Sequence, residues 1–431
     1  MNIRQEAAKM KQCAPEMAAS SAGTRNRALE LTAEALDRNR NRIFEANKLD
    51  LAAAQENKTA ASIVKRLKYD ETKMRDSIEG LRQLMTLPDP VGKVQLAREL
   101  DEGLVLQRVS VPIGVIGVIF EARPDAMVQV ASLCIKSGNC AILKGGKETA
   151  NTNRILFEII KNCAVEAGLP EGCLLQAELH NEIDELLECD KHVDLLIPRG
   201  SNAFVRYIME HTKIPVMGHS SGICHIYADA SADTEKAIPV IVDAKIQYPA
   251  ACNAVETLLV NRKAAGEFLP RAAAALSEAG VKLRGTTEAA DIVKENTGLE
   301  VDIMSEEDFA TEYNDLVISL KLVDDVKEAV RHINRYGSHH TDSILTEDDE
   351  AASYFCRMVD SAGVYRNCST RFADGFRYGF GAEVGISTGK IHARGPVGLE
   401  GLVTYKYILS GSGQIVGDYA SGKKQFHHRD L

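Results

Sequence analysis

Residues 111–148 read VPIGVIGVIFEARPDAMVQVASLCIKSGNCAILKGGKE, and the order of elements in this stretch decides the fold class. Residues 115–120 are uncharged and end at Glu121, the pattern of a strand buried on both faces. Pro124 opens a helix over residues 124–136, and Gly138 closes it. A second strand over 140–143 follows at once and runs into Lys144-Gly145-Gly146-Lys147-Glu148. Strand, helix and parallel strand form the unit of a doubly wound α/β sheet, which binds ligands beyond the carboxyl ends of its strands.

Working outward, the alternation continues with a helix over 149–167, a strand over 193–197, a helix over 201–211 and a strand over 214–217. Upstream lie two amphipathic helical stretches, 25–47 and 60–86, stopped by Leu87-Pro88-Asp89-Pro90. Residues 94–100 and 104–111 then form a hairpin about Asp101-Glu102-Gly103. Downstream a second α/β unit reads as strand 223–228, helix 233–247 and strand 255–260. Helices over 263–279 and 326–336 flank a strand over 316–322. The expected organisation is a first domain over 1–221 with the hairpin 94–111 as an arm, a second over 222–395, and a tail over 396–431.

The bulk properties narrow the function classes. The 431 residues carry a net charge of -10, which opposes nucleic acid or an anionic membrane as partner. The longest apolar run, 111–120, is of strand length and far short of a membrane span. Residues 1–13 carry Arg4, Glu6, Lys9 and Lys11 with no apolar segment behind them, so no signal peptide is read there. Ten cysteines occur without a C-x-x-C pair, which suits a reduced, cytoplasmic protein without structural zinc.

Four segments are candidates for chemistry. Glu121-Ala122-Arg123-Pro124-Asp125 lies where a buried strand meets a helix N-terminus, a place suited to an anion; Arg123 there reads either as a ligand or as an ion pair with Glu121 or Asp125. Lys144, Gly145 and Lys147 end one strand, and Arg199, Gly200 and Ser201 end another; together at one sheet edge they suit a dinucleotide. Cys252, in Tyr248-Pro249-Ala250-Ala251-Cys252-Asn253, lies near the boundary of the two α/β units, where active sites tend to form. Taken alone, a free cysteine is more often a core residue. No basic residue adjoins it in sequence, so its activation has to come from the fold or from a bound cofactor.

Two patterns mislead. Gly218-His219-Ser220-Ser221-Gly222 matches the G-x-S-x-G nucleophile elbow, which requires a helix next, whereas Ile223-Cys224-His225-Ile226-Tyr227 reads as strand. Residues 385–390 resemble a phosphate-binding loop but are one residue short between the glycines.

The stretch 111–148, together with LLIPRGS, HSSGICHIYAD, YPAACNAVETLL and STGKIHARGPVGLEGL, resembles the acyl-phosphate-reducing branch of the aldehyde dehydrogenase superfamily over nearly the whole chain. The resemblance implies an aldehyde dehydrogenase-like α/β fold, with a Rossmann-type cofactor domain, an α/β catalytic domain and a small oligomerisation arm. It implies NADPH-dependent reduction of L-glutamate 5-phosphate to L-glutamate 5-semialdehyde in proline biosynthesis. Cys252 matches the superfamily nucleophile, Lys144 the lysine at the adenosine ribose, and Gly200 with Ser201 the pyrophosphate turn. Glu312 matches the glutamate at the nicotinamide ribose. Lys147 stands near the acidic residue of NAD-preferring members, which implies NADPH. Arg123 replaces the oxyanion-binding asparagine, and His219 replaces the water-activating glutamate. His219, Asn253, Arg371 and Arg394 are then candidates for substrate, although structural ion pairs are an equal reading of the two arginines. A homo-oligomer is implied, and the lability of an acyl phosphate leaves room for transient association with glutamate 5-kinase.

Overall fold

The computed structural model describes residues 2–178, 181–219 and 221–431, the side chains of residues 61, 62 and 181 excepted. The chain forms two compact units. One is Met1–Met217 with Phe380–Gly385 and Val397–Leu431; the other is Gly218–Gly379 with Ile386–Pro396. The expected boundary after residue 221 thus falls after Met217. The expected separate tail is part of the first unit, because Val403–Ser410 joins the sheet of the hairpin arm.

In the first unit a four-stranded parallel sheet runs in the order Leu174–Ala177, Cys140–Gly145, Val115–Phe120, Leu195–Arg199. The two central strands are buried at every residue, which is why their sequences are apolar except at Lys144. From Val115–Phe120 the chain builds outward to one side and then returns to add Leu195–Arg199 on the other. The crevice between these two strands is therefore the topological switch point. The predicted strand 214–217 makes a single bridge, Leu196 to Val216, because Pro215 has no N–H with which to extend the ladder.

The two long helical stretches each break once. Asn39 separates Ala22–Arg38 from Arg40–Glu56, its side-chain amide donating to the Ala35 carbonyl at 2.8 Å. Ala61–Leu67 ends before Asp70, whose carboxylate caps Glu71–Thr86 by accepting from Lys73 N at 3.1 Å. A separate antiparallel sheet holds Val403–Ser410, Leu104–Pro112, Val94–Asp101 and Arg429–Asp430 in that order. Val403–Ser410 lies at its edge and is exposed along nearly its whole length.

The second unit is a seven-stranded parallel sheet. Its order is Asp302–Ile303, Lys282–Gly285, Val317–Val323, Val255–Asn261, Cys224–Ala228, Thr341–Leu345 and Gly363–Arg366. Helices Thr234–Ile246, Ala265–Glu278 and Thr287–Thr297 contribute to the larger apolar cluster against this sheet, and Val326–Tyr336 and Asp349–Met358 to the smaller one. No helix among the described residues is long and apolar enough to cross a membrane.

Candidate active site

Three adjacent strands of the second unit begin side by side, and the segments that enter them carry the reactive groups. Cys252 lies in a turn just before Val255–Asn261, His219 precedes Cys224–Ala228, and His340 immediately precedes Thr341–Leu345. Parallel pairing of these strands gathers residues that are far apart in sequence. The site of this unit therefore sits at the amino ends of its strands.

Cys252 is partly exposed, and its Sγ lies 3.2 Å from Nε2 of His340. The other ring nitrogen of His340 is 2.9 Å from Oγ1 of Thr341. The tautomer with the proton on Nδ1 donates to that hydroxyl and leaves Nε2 to accept from the thiol. His340 is completely buried, and burial pushes its pKa well below the ordinary histidine value, with His219 and Arg371 adding in the same direction. The imidazole is thus the free base at neutral pH. His339 next to it adopts a left-handed φ of 59° and its Nδ1 donates to the Asp360 carbonyl at 2.6 Å, which fixes the approach of the chain to His340.

His219 packs edge-on against His340, with ring centroids 5.0 Å apart. Its Nδ1 lies 2.9 Å from the Ile386 carbonyl. A carbonyl can only accept, so Nδ1 carries the proton and Nε2 holds the lone pair. Burial lowers the His219 pKa, against a smaller upward pull from the Ile386 bond and from Glu312 nearby.

The cysteine turn is clamped from behind. Cys224 Sγ donates to the Cys252 carbonyl at 3.3 Å. A Cβ on Gly222 would fall 2.2 Å from that carbonyl oxygen and 2.4 Å from Cys252 Cα. Both obstacles are backbone and cannot swing aside. Gly222→Ala is therefore expected to displace the nucleophile, with a loss in kcat of about 100-fold for a shift on the order of 1 Å. Steady-state rates with a parallel melting curve check this; a fully active folded variant would refute it.

Asn253 is buried and structural in its contacts. Its amide donates to the Ala373 carbonyl at 2.8 Å, and its own carbonyl accepts from Thr370 Oγ1 at 2.7 Å. These bonds tie the cysteine turn to Thr370–Phe372, which presents Arg371. Arg371 is nearly buried; its Nε donates to Gln247 at 2.9 Å, and its guanidinium lies in the electrostatic field of the Cys252 sulfur. A cation in that field would favour the anionic form of the sulfur. Arg394 is paired instead with Asp360, donating to its carboxylate at 3.2 Å and its carbonyl at 3.1 Å. Lys245 and Glu256 form a buried ion pair at 2.7 Å, joining the helix and the strand on either side of the cysteine turn.

The candidate cofactor residues belong to the first unit, Glu312 excepted. Gly145 ends one central strand and Gly146 follows it, residues 121–123 follow the other, and Gly200 and Ser201 follow Leu195–Arg199, so the last two turns flank the switch point and the first lies one strand away. Side chains on these glycines would collide with neighbours: at 2.1 Å from Asn153 for Gly145, 2.2 Å from Glu148 for Gly146, and 2.5 Å from Glu121 for Gly200. Ala122 takes a left-handed φ of 48° at the crossing. Ser201 caps the helix Asn202–Glu210, and its backbone N–H donates to Glu121 at 3.1 Å. Lys144 is buried with Nζ on the Gly145 carbonyl at 2.7 Å, and burial lowers its pKa. Lys147 is exposed, and Arg199 ends its strand. The Arg123 guanidinium is half-exposed and pairs with Asp125 at 3.5 Å, the ion-pair reading of that residue. Glu312 lies in the second unit, close enough to His219 and Glu256 to influence both.

His340 is the residue that sequence reasoning misses. Ser220, the serine of the misleading elbow pattern, lies outside the described residues, and the segment after it enters the strand Cys224–Ala228.

Residues 1–300 match the model of the aldehyde dehydrogenase family. Over 431 residues the chain is 53% identical to a gamma-glutamyl phosphate reductase of Ruminiclostridium cellulolyticum, covering 100% of this chain and 98% of that one. It is 51% identical to one from Acetivibrio thermocellus, covering 100% and 99%. The crystal structure of gamma-glutamyl phosphate reductase from Thermotoga maritima matches with a TM-score of 0.93 at 38% identity, covering 96% of this chain and 100% of that one.

Proposed function

The chain belongs to the aldehyde dehydrogenase family, and within it to the gamma-glutamyl phosphate reductases; from that premise we propose the reaction L-glutamate 5-phosphate + NADPH + H+ → L-glutamate 5-semialdehyde + NADP+ + phosphate. The observation that carries it is the 3.2 Å approach of His340 Nε2 to Cys252 Sγ, a nucleophile with its base in place. The Cys252 thiol passes its proton to His340 as sulfur attacks the γ-carbonyl. Phosphate leaves and a thioester remains on Cys252. The nicotinamide cofactor supplies the hydride that reduces this thioester carbon. The resulting hemithioacetal collapses to the aldehyde, and Cys252 leaves as thiolate to recover the proton from His340. Backbone N–H groups of the cysteine turn are the expected oxyanion donors, each typically worth about 3 kcal/mol.

The substrate reading rests on His219 where hydrolytic relatives hold a glutamate. A thioester meant for reduction has to be kept from water, and the family resemblance leaves no carboxylate at that position to activate it. Arg371 is the better placed of the two candidate arginines for the phosphate or carboxylate of the substrate, since Arg394 is engaged with Asp360. The test is run in reverse because the acyl phosphate is labile. Glutamate semialdehyde should reduce NADP+ only when inorganic phosphate is present. Phosphate-independent turnover would point to a hydrolytic aldehyde dehydrogenase.

The cofactor residues fit a dinucleotide: turns beside a switch point, glycines that leave the backbone open to a ligand, and a capped helix N-terminus. Lys144, Gly145, Arg199, Gly200 and Ser201 would hold it, with Glu312 at the nicotinamide ribose. The exposed Lys147 favours a 2′-phosphate. Lys147→Glu should raise the Kd for NADPH by about tenfold to a hundredfold, the scale of a charge-assisted hydrogen bond, and change that for NADH far less. Equal losses in a titration of both nucleotides would refute the preference for NADPH. The exposed edge strand Val403–Ser410 suits strand addition to a second copy, and we place the enzyme, as a homo-oligomer and a transient partner of glutamate 5-kinase, in the cytoplasm.

A further inference from the structure

The reaction proposed above invokes no metal, and the spacing of cysteines and histidines in the sequence offers no paired ligands for zinc. The fold nevertheless brings three good ligands together. One ligand atom each from His219, Cys252 and His340 lies within 4.8 Å of the others. The ligands are 33 residues (252 − 219) and 88 residues apart in sequence, beyond the reach of any spacing rule.

We propose that His219, Cys252 and His340 form a binding site for a borderline-soft divalent cation of the zinc type, and that such an ion reversibly arrests the enzyme by capturing its nucleophile. Tetrahedral zinc with its usual bond lengths sets sulfur and nitrogen about 3.6 Å apart and two nitrogens about 3.3 Å apart. Cys252 and His340, at 3.2 Å, are already close to that spacing. The widest pair of the trio needs to close by somewhat more than about 1 Å, within reach of a side-chain rotation.

The supporting shell suits this reading. Each histidine has Nδ1 tied down, His219 to the Ile386 carbonyl and His340 to the Thr341 hydroxyl, so both turn Nε2 to the site in a fixed orientation. Ligation displaces the proton of the Cys252 thiol, as the S–H bond gives way to a metal–sulfur bond. Three protein ligands leave a fourth position for water. Because the captured sulfur is the atom that attacks the acyl phosphate, zinc and substrate exclude one another.

The experiment is a direct titration of the whole enzyme with zinc alone, against a chromophoric chelator, and with cobalt to detect a sulfur-to-metal charge-transfer band. One ion per chain is expected. Cys252→Ser should abolish the band, and His219→Gln should weaken binding by about 100-fold or more. Cys356→Ser, at the exposed thiol, should bind as the parent does. Undiminished binding in Cys252→Ser or in His219→Gln would overturn the proposal, as would its loss in Cys356→Ser. Since the readout is binding and not turnover, the outcome is independent of the assigned reaction.

Discussion

Cys252→Ala should lower the phosphate-dependent reduction of NADP+ by glutamate semialdehyde by roughly 10⁴-fold or more, the scale seen when a covalent nucleophile is deleted. At about 1.4 kcal/mol per decade this removes on the order of 5.5 kcal/mol of transition-state stabilisation. The effect is large because sulfur is both the attacking group and the leaving group, and nothing else in the turn can form the thioester. Cofactor binding should survive nearly intact, since the turns that fit the dinucleotide belong to the first unit and Cys252 to the second. Folding should survive too: the change removes a partly exposed sulfur and leaves the hydrogen bond from the Cys224 thiol to the residue 252 carbonyl in place. A variant that still turns over within tenfold of the parent would exclude the thioester route. One that loses NADPH binding in a fluorescence titration would show instead that the turn is structural.

The cofactor half was legible in the sequence because its signals are local. A strand buried on both faces is a nearly continuous apolar run, so Val115–Phe120 and Cys140–Gly145, charged only at Lys144, declare themselves, and Pro124 and Gly138 bracket the helix between them. Helix breaks were less visible, since Asn39 and Asp70 interrupt an amphipathic pattern through side-chain bonds that periodicity does not register. The tail was misplaced because Val403–Ser410 pairs with Leu104–Pro112 about three hundred residues earlier, and local sequence carries no trace of such a partner. His340 was hidden for the same reason. It meets Cys252 only because Thr341–Leu345 and Val255–Asn261 both pair with Cys224–Ala228. A histidine immediately before a strand is unremarkable until the strand order is known. Cys252 itself was found through resemblance, and the electrostatic question it posed in sequence, with no base beside it, is answered by a residue 88 positions away.

That answer makes the second large expectation. His340→Gln should reduce turnover at pH 7 by about 10² to 10⁴-fold, the usual contribution of a positioned base. The pH dependence separates this from a merely structural loss. In the parent, burial holds the His340 pKa well below the usual histidine range, so the ring is already the free base at neutral pH and stays so on mild acidification. The parent rate should therefore not fall as pH drops through about 6.5, the pKa of an ordinary histidine. Without the base, attack has to await thiolate formed in solution, whose pKa for an ordinary cysteine is about 8.5. The variant should then gain about tenfold per pH unit from 6 to 8 and approach a plateau near 9, recovering much of its deficit there. Arg371 should remain useful in both proteins, because a cation in the field of the sulfur assists the anion however it arises. A His340→Gln profile parallel to that of the parent, low at every pH, would deny the imidazole any part in moving the proton and leave it the task of holding the cysteine turn.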